Sequence, residues 1–299
     1  MIQGKRSPQI GAKEAAQGSR GGKHLPGPIK ATLIIAIGLS AAAQATSAGE
    51  RYKPERPSAD AIPILVYHRI TEEGGKADEE RVPIDTFRKQ MEYLKMNGYR
   101  TVSLEELESL GENTQKRTQK LIAIHFDDGW KSVEQAIPVL QSLGMKASFM
   151  VITGAADGQY GDEYLNWTEI KRIDKDLLFD IGSHTVSHPW KEESNLVLWT
   201  MHKDNKDSEE LISRELEGSK QVLESRLGHP VQTLAWPKGW YNHELNKRAI
   251  KAGYKLMLSY QCTGKVTQLS GGLLRDRCGV DGRIPTSVFR LVLKKGNNQ

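Results

Sequence analysis

Short apolar runs alternate with amphipathic segments along most of the chain. The runs are rich in β-branched residues and stop at polar or glycine-containing turns, as strands do, whereas the segments between them repeat apolar residues at helical spacing. Strands are predicted at Ile62–Tyr67, Leu121–Ile124, Ala147–Ile152, Leu177–Ile181, Gln232–Trp236 and Tyr254–Ser259. Helices are predicted at Asp85–Asn97, Lys131–Leu143, Thr168–Lys175, Ser208–Arg226 and His243–Ala252, and Ser103–Glu106 resembles the capping box that begins another. This alternation predicts an α/β fold around a parallel sheet.

Four segments lack a clear period and are predicted as connections. Residues 49–61 are rich in Pro, Glu and Lys and predict a linker, and 111–119 form a polar loop. Residues 154–161 predict a glycine-rich loop. The stretch 190–205 is either a surface insertion or a loop that sets specificity, because such loops border the catalytic face of α/β barrels.

The N-terminal region has the pattern of a signal peptide. Six basic residues and one acidic residue precede an apolar run, Ala31–Ala43, which is followed by small-residue cleavage sites ending at Ala45 and Ala48. The run is short for a membrane span, so we expect cleavage and export to the periplasm or the medium, with a retained anchor as the alternative. The expected organisation is a signal peptide at 1–48, a linker at 49–61 and one enzyme domain at 62–299.

Charge and cysteine content narrow the function. The chain has 42 basic and 37 acidic residues, and the whole excess lies in the predicted leader. The remainder is neutral and lacks the basic footprint of a nucleic-acid-binding protein. Cys262 and Cys278 form either one disulfide, which an exported compartment permits, or two buried free thiols.

A first candidate motif follows the strand that ends near residue 124. In His125-Phe126-Asp127-Asp128-Gly129, two adjacent carboxylates can divide a metal-assisted hydrolysis, one holding the metal while the other handles protons. An Asp-Asp-Gly turn whose carboxylate caps the next helix is the alternative.

A second motif supplies partners for these carboxylates. His184 and His188 stand four residues apart directly after another short apolar stretch. Two imidazoles and one carboxylate leave a divalent ion an open position for water. Taken alone, the pair could equally be surface or capping histidines.

A third motif is the turn Trp236-Pro237-Lys238-Gly239-Trp240-Tyr241, which follows a predicted strand. A rigid turn can present a backbone N–H to a substrate oxygen, and the faces of Trp236, Trp240 and Tyr241, with Pro237, suit sugar rings. Aromatic residues packed in the core are the alternative.

In order and spacing, the three motifs resemble the polysaccharide deacetylase family, the NodB-homology group or carbohydrate esterase family 4, over 62–293. The resemblance implies a distorted barrel of about seven strands, a (β/α)7 fold, and removal of N-acetyl groups from polysaccharide containing N-acetylglucosamine. It implies a polysaccharide or oligosaccharide as the binding partner. We expect a monomer, and the short apolar run predicts no stable membrane span after signal cleavage.

The resemblance also assigns residues. Asp127 would be the general base, and Asp128, His184 and His188 would bind the metal, typically Zn²⁺ and sometimes Co²⁺ or Ni²⁺. The backbone N–H of Lys238 would be the oxyanion donor.

Two departures from the family pattern stand out. Ala235 occupies the position of the arginine that orients the catalytic aspartate, and the family's Leu-x-His near the C-terminus is missing, which leaves His68 and His125 as candidate proton donors. The sequence Ile64–Arg69 resembles the Tyr-His strand of one branch of the family, the branch that includes periplasmic poly-β-1,6-N-acetylglucosamine deacetylases. The rival expectations are an inactive carbohydrate-binding module of the same fold and a metal-dependent hydrolase of non-polymeric amides.

Overall fold

The computed structural model describes residues 62–110, 119–201, 206–287, 289 and 293. All belong to the second of two units into which the chain divides, Pro54–Gln299. The predicted signal peptide and linker, and nearly all of the polar loop at 111–119, lie outside the described residues. Within the described part, no helix is both long and apolar enough to span a bilayer.

The described elements alternate between strands and helices. The strands are β1 (Ile64–Tyr67), β2 (Arg69–Thr71), β3 (Arg81–Pro83), β4 (Tyr99–Thr101), β5 (Lys120–Phe126), β6 (Ala147–Val151), β7 (Phe179–Ser183), β8 (Trp190–Lys191), β9 (Ser194–Asn195), β10 (Thr233–Ala235), β11 (Leu256–Leu258), β12 (Val266–Leu269), β13 (Gly272–Arg275) and β14 (Cys278–Gly279). The α-helices are α1 (Ile84–Met96), α2 (Leu104–Ser109), α3 (Ile137–Leu143), α4 (Thr153–Ala156), α5 (Trp167–Asp174), α6 (Leu196–Met201), α7 (Lys206–Ser213), α8 (Ser219–Leu227) and α9 (His243–Lys251).

The main sheet is a run of parallel strands in the order β13-β11-β10-β7-β6-β5-β1. β14 pairs in parallel with the outer side of β1, and β4 lies beside the start of β5. Only Asp276 and Arg277 separate β13 from β14 along the chain. The chain itself therefore joins the two borders of the sheet, and the α/β fold around a parallel sheet predicted from the pattern is confirmed.

Side chains on the parallel strands alternate between two cores. On β5, Ile122, Ile124 and Phe126 belong to the cluster beneath the helices. Ala123, one residue out of phase, belongs to an inner cluster together with Met150 of β6, Ala235 of β10 and Leu258 of β11. Because successive strand residues point to opposite faces, the inward series of β5 continues through His125 to Asp127.

Three predicted segments differ from the structure. The helix predicted at 131–143 begins as a 3₁₀ helix, Lys131–Ala136, and becomes α-helical only at α3, where Pro138 is accepted in the first turn. The predicted glycine-rich loop begins with the short helix α4. The segment predicted without structure at 190–205 contains the hairpin of β8 and β9 and then α6, and 202–205 lie outside the described residues.

The helix predicted at Ser208–Arg226 is interrupted. Lys206–Leu227 runs continuously as helix, but Arg214–Gly218 between α7 and α8 is a π-helical turn. A capping box at Ser103 begins α2, as predicted, and a second capping box at Asn166 begins α5.

Candidate active site

Asp127 and Asp128 leave the end of β5 in different directions. The backbone of Asp128 is left-handed, with φ of 69°, and Gly129 follows with φ of 77°. This turn lets Asp127 keep the inward face of the strand while Asp128 points to the loop that follows β7. Asp127 is 3% exposed, and its backbone N–H donates to the Tyr67 carbonyl.

Asp128 meets both histidines of the second motif. Its Oδ1 lies 3.4 Å from His184 Nε2 and 3.7 Å from His188 Nε2. One ligand atom from each of the three residues lies within 4.8 Å of the others. The sequence placed these residues as ligands of one ion, and the structure brings them together.

The orientation of His184 is fixed by the third motif. His184 Nδ1 lies 2.8 Å from the carbonyl oxygen of Ala235, which can only accept a hydrogen bond, so Nδ1 carries the proton. Nε2 is then the nitrogen that faces Asp128. A histidine held through its far nitrogen in this way is typical of metal ligands, and the residues present therefore fit a divalent ion.

The surrounding charges move the pKa values of the cluster in opposite directions. Burial would raise the pKa of Asp128, but its hydrogen bond with His184 and the charge of His188 bring it well below its ordinary value. Burial would lower the pKa of His184, but Asp127 and Asp128 raise it. Burial and then the charge of His184 lower the pKa of His188 to about 3, so His188 is in the neutral form that binds metals.

The loop that carries His188 is anchored by Glu215, a residue that the sequence reading missed. Glu215 lies on the π-helical turn, is 0% exposed, and accepts hydrogen bonds from the backbone N–H groups of Val186 and Ser187 at 2.9 and 2.8 Å. It also accepts one from Ser187 Oγ at 2.7 Å. Its signal in the sequence is a lone glutamate on the buried stripe of the helix, three residues after Ile212.

Asp127 is clamped by Arg277, which was not among the site residues predicted from the sequence. Arg277 Nη1 and Nη2 donate to the two oxygens of Asp127 at 2.7 and 2.9 Å, and Nε donates to the Ser259 carbonyl. Burial would raise the pKa of Asp127, but the charges of Arg277 and His184 lower it to about 2. Asp127 is therefore an ionised carboxylate at neutral pH.

His68 lies at this site, directly after β1. It is half-buried, and its ring centroid is 6.2 Å from that of Tyr260. It follows Tyr67, whose carbonyl oxygen accepts the hydrogen bond from the Asp127 N–H. The structure thus places His68 beside the two carboxylates.

His125 lies deeper, and its position argues against the proton-donor role that the sequence allowed. It is 0% exposed inside the barrel, and neither ring nitrogen has a hydrogen-bond partner among the described protein atoms. Burial and then the charge of Arg277 lower the pKa of His125 to about 3. A neutral imidazole without access to substrate cannot protonate a leaving amine.

The third motif forms a tight turn beside the site. Lys238 has φ of 54° at the tip, and Gly239 with φ of 71° lies so close to Tyr260 that a Cβ there would be 2.4 Å from the Tyr260 backbone nitrogen. Trp240 and Tyr241 are half-buried. Lys238 Nζ lies 5.4 Å from the ring centroid of Trp190, which is 51% exposed.

Trp236 does not offer a face to a sugar, contrary to expectation. It is 0% exposed and packs in the cluster beneath α6, α7 and α9, and Pro237 is buried as well. The reason is strand alternation: Ala235 faces the barrel interior, so its neighbour must face the helices.

Comparison with known proteins agrees with this arrangement. The profile of the polysaccharide deacetylase family matches residues 114–257, which include both carboxylates and both histidines of the cluster. The chain belongs to the polysaccharide deacetylase family. Enzymes of this family are hydrolases that act on N-acetyl amide bonds.

Individual relatives give the extent of the likeness. YxkH of Bacillus subtilis (strain 168), which is named as a polysaccharide deacetylase, is 30% identical to this chain over 205 residues. The match covers 68% of this chain and 65% of YxkH. Poly-β-1,6-N-acetyl-D-glucosamine N-deacetylase of Escherichia coli K12 is 22% identical over 144 residues, 44% of this chain and 21% of that protein. This chain therefore spans less than two thirds of the length of either relative.

A solved structure confirms the fold. The structure of IcaB from Ammonifex degensii superposes with a TM-score of 0.64 at 22% identity, over 81% of this chain and all of that one. The distorted (β/α)7 barrel expected from the family resemblance is thus the fold of this polysaccharide deacetylase homologue.

The arginine of the family's third motif is absent from this chain, and two other groups lie in its surroundings. Ala235 occupies the family's arginine position, and here its carbonyl accepts the hydrogen bond that orients His184. The clamp on the aspartate comes instead from Arg277, 150 residues away along the chain. The carboxylate and a positively charged partner are both present, but the partner comes from the connection between β13 and β14.

Proposed function

We propose that this protein is a metal-dependent N-deacetylase that removes acetyl groups from N-acetylglucosamine units of a polysaccharide. The observation that carries the proposal is the position of Asp127, ionised and clamped by Arg277, with Oδ2 3.7 Å from Nε2 of the metal-ligand candidate His184. A base beside a metal-ligand cluster is the constellation that amide hydrolysis needs.

Asp128, His184 and His188 would hold the ion. Two imidazoles and one carboxylate suit Zn²⁺, and Co²⁺ or Ni²⁺ can use the same ligands. When bound, the ion supplies polarisation of the acetamide carbonyl and a lowered pKa for the attacking water.

The remaining steps would be carried out by residues of the protein itself. Asp127 would accept the proton of the attacking water, and Arg277 would keep its oxygens in place. The backbone N–H of Lys238 would donate to the developing oxyanion. His68 would donate a proton to the leaving amine, a contribution of about 10²- to 10⁴-fold in rate.

The proposed substrate is a polymer linked β-1,6. The named substrate of the Escherichia coli relative and the family resemblance of the β1 strand support this choice. Trp190, Trp240 and Tyr241 are exposed or half-buried near the Lys238 turn and would contact the neighbouring sugars. Deacetylation leaves free amines, so the product would be cationic.

Acetate release tests the proposal. Purified protein would be treated with chelator, reloaded with Zn²⁺, Co²⁺ or Ni²⁺, and incubated with β-1,6 and β-1,4 N-acetylglucosamine oligomers. We expect metal-dependent release that is greater on the β-1,6 series. Binding without release at every metal would indicate an inactive carbohydrate-binding module, and release only from small amides would indicate a hydrolase of non-polymeric substrates.

Two isosteric variants separate the roles of the adjacent carboxylates. Asp127→Asn should retain the metal but lose turnover, whereas Asp128→Asn should lose both. Metal content by mass spectrometry and acetate release would be measured on the same samples. Wild-type turnover in Asp127→Asn would refute the assignment of the base.

We also propose that residues 1–48 are a signal peptide and 62–299 the deacetylase domain, joined by a linker at 49–61. The basic start, the short apolar run and the small-residue sites support export. N-terminal sequencing of protein produced in a bacterial host should give a start after Ala45 or Ala48. An intact N-terminus in the membrane fraction would instead indicate a retained anchor.

A further inference from the structure

Asp128 has two carboxylate oxygens, and they have different partners. Oδ1 faces His184 and His188. Oδ2 accepts a hydrogen bond of 2.9 Å from the indole Nε1 of Trp130, two residues further along the chain. The oxygen bonded to the indole is thus not the one that faces the two imidazoles.

The Trp130 ring is held on both faces. The Arg69 guanidinium carbon lies 3.4 Å from the ring centroid, within the range of a cation–π contact. The ring of Tyr164 stacks at 4.1 Å with an interplanar angle of 25°. Arg69 is in turn paired with Glu163 at 3.2 Å.

The backbone also fixes this residue. Trp130 and Tyr164 form an antiparallel bridge. On either side of it, Lys131 N–H donates to the Glu163 carbonyl and Leu165 N–H donates to the Gly129 carbonyl. The indole N–H thus has a defined direction before any ligand arrives.

The position of the Trp130 ring between Arg69 and Tyr164 distinguishes between two possible roles of this residue. A sugar platform needs a free ring face, but both faces of Trp130 are occupied by other residues of the chain. A ring used for packing alone needs no partner for its N–H, whereas here the N–H donates to Asp128. The arrangement is that of an outer-shell donor to a metal ligand.

We propose that Trp130 is a positioning residue for the metal: its indole N–H, aligned between Arg69 and Tyr164, fixes the Asp128 carboxylate with Oδ1 toward the two histidines. This inference rests on the proposed function only in requiring that Asp128, His184 and His188 bind a divalent ion.

Metal affinity of Trp130→Phe tests the inference directly. The variant keeps an aromatic ring between Arg69 and Tyr164 but has no N–H. Loss of an outer-shell partner weakens metal binding by about 10- to 100-fold. Zn²⁺ affinity would be measured by competition with a chromophoric chelator, and the absorption spectrum of the Co²⁺ form would report whether the ligand geometry has changed.

Trp167→Phe is a matched control. Trp167 Nε1 also donates to an aspartate, Asp157, at 2.6 Å, and its ring also faces an arginine, Arg226, at 5.3 Å. Its substitution removes the same groups from a partner outside the metal cluster. We expect its metal affinity and Co²⁺ spectrum to match those of the wild type.

A second variant is used in case Trp130→Phe does not fold. Replacement of Trp130 by β-(3-benzothienyl)alanine substitutes sulfur for the N–H and retains the two-ring shape. At least a fivefold loss of Zn²⁺ affinity in whichever variant folds, with an altered Co²⁺ spectrum and wild-type thermal stability in chelator, supports the inference. A smaller loss or an unchanged spectrum overturns it, and a wild-type protein that binds no metal refutes the proposed function itself.

Discussion

At the residue scale, hydrogen-bond partners rather than residue type separate Asp127 from Asp128. Both oxygens of Asp127 are taken by Arg277, whereas the oxygens of Asp128 are divided between the histidines and Trp130. The left-handed backbone of Asp128 produces this division. Two identical side chains can therefore act as base and as metal ligand.

Arg277→Gln should move the acid limb of the pH–rate profile upward. Arg277 lowers the pKa of Asp127 against the effect of burial, so its loss raises that pKa, and the ionised base is lost at a higher pH as the pH falls. We expect a shift of about 1 to 3 pH units in kcat/KM. Breaking the buried pair should also cost about 3 to 5 kcal/mol of unfolding free energy, measured by urea denaturation.

Arg283→Gln is the control for this prediction. Arg283 is 56% exposed and pairs with Asp281 and Glu79 outside the barrel. Exposed pairs contribute about 0 to 1 kcal/mol, so stability and the pH profile should stay close to those of the wild type. An Arg277→Gln profile that coincides with the control would contradict the clamp.

The same substitution at two histidines identifies the proton donor. His68→Gln should lower kcat by about 10²- to 10⁴-fold without loss of metal, because His68 lies beside both carboxylates and a positioned acid contributes that much. His125→Gln should change kcat by less than about tenfold, since His125 is enclosed and neutral. Steady-state kinetics with metal content on the same samples would check both, and the reverse ranking would reassign the donor.

Some site residues could be predicted from the sequence and others could not. The convergence of the candidate metal ligands was predictable because both motifs follow strands of one parallel sheet, β5 and β7, which only β6 separates. Trp236 was misread because its phase relative to Ala235 was not followed, although strand alternation was available as a signal. Arg277 could not be paired with Asp127 from spacing, since only closure of the barrel brings residues so far apart together.

At the element scale, the π-helical turn Arg214–Gly218 is what reaches the active-site loop. It carries Glu215 inward, where its carboxylate accepts three hydrogen bonds from residues 186 and 187. Thr185 and His188 on the same loop both have left-handed backbones, with φ of 67° and 52°. Such conformations persist only where surrounding contacts enforce them, and Glu215 holds the two residues between Thr185 and His188.

Glu215→Ala should therefore weaken metal binding from a distance. Without the carboxylate, the loop loses its anchor and His188 loses its fixed position, so we expect Zn²⁺ affinity to fall by about 10- to 100-fold. Hydrogen exchange at the Val186 and Ser187 amides should become faster at the same time. Chelator competition and exchange mass spectrometry measure the two effects.

Glu217→Ala provides the comparison. Glu217 lies on the same helical turn, but its carboxylate accepts a hydrogen bond from Ser213 at an exposed position. Both amides should exchange as in the wild type and the metal should bind equally well. Equal losses in the two variants would mean that the helix, and not the Glu215 carboxylate, supports the loop.

Elements were predicted well where the apolar period was clear, as for α1, or where an end signal was present, as for the capping box of α2. The cap expected at Asp85 was wrong, because α1 begins after Pro83 without a side-chain cap. The 3₁₀ helix at 131–136 was not, because its apolar spacing fits either kind of helix and the close approach of Ile70 to this segment is a tertiary effect. The π-helical turn has no local sequence signal that distinguishes it from an α-helix.

At the scale of the whole molecule, the barrel is closed by the connection between β13 and β14. Asp276 accepts hydrogen bonds from the backbone N–H groups of Gln261 and Thr263, and the Cys262–Cys278 disulfide joins the same loop to β14. The sequence left disulfide and free thiols open, and the structure pairs the two cysteines. Closure thus combines a covalent link with a hydrogen-bonded carboxylate.

Reduction of this disulfide should lower stability more than activity. The bridge spans 16 residues. A loop of about this length contributes about 3 kcal/mol, which corresponds to a fall in Tm of about 6 to 12 °C. Acetate release at low temperature should persist because Asp276 still holds the loop. Calorimetry with and without reductant tests this, and a Cys262→Ser/Cys278→Ser double variant should show the lower Tm under both conditions.

The pairing of β14 with β1 has a consequence for biosynthesis. Asp127 receives its counter-charge from Arg277, so a growing chain that has passed the second histidine still has an unpaired carboxylate facing the barrel interior. Burying such a charge is costly, and the interior should stay hydrated until the last strand arrives. The hydrolytic centre is therefore completed only when translation has passed residue 277, and every shorter intermediate should lack a competent base.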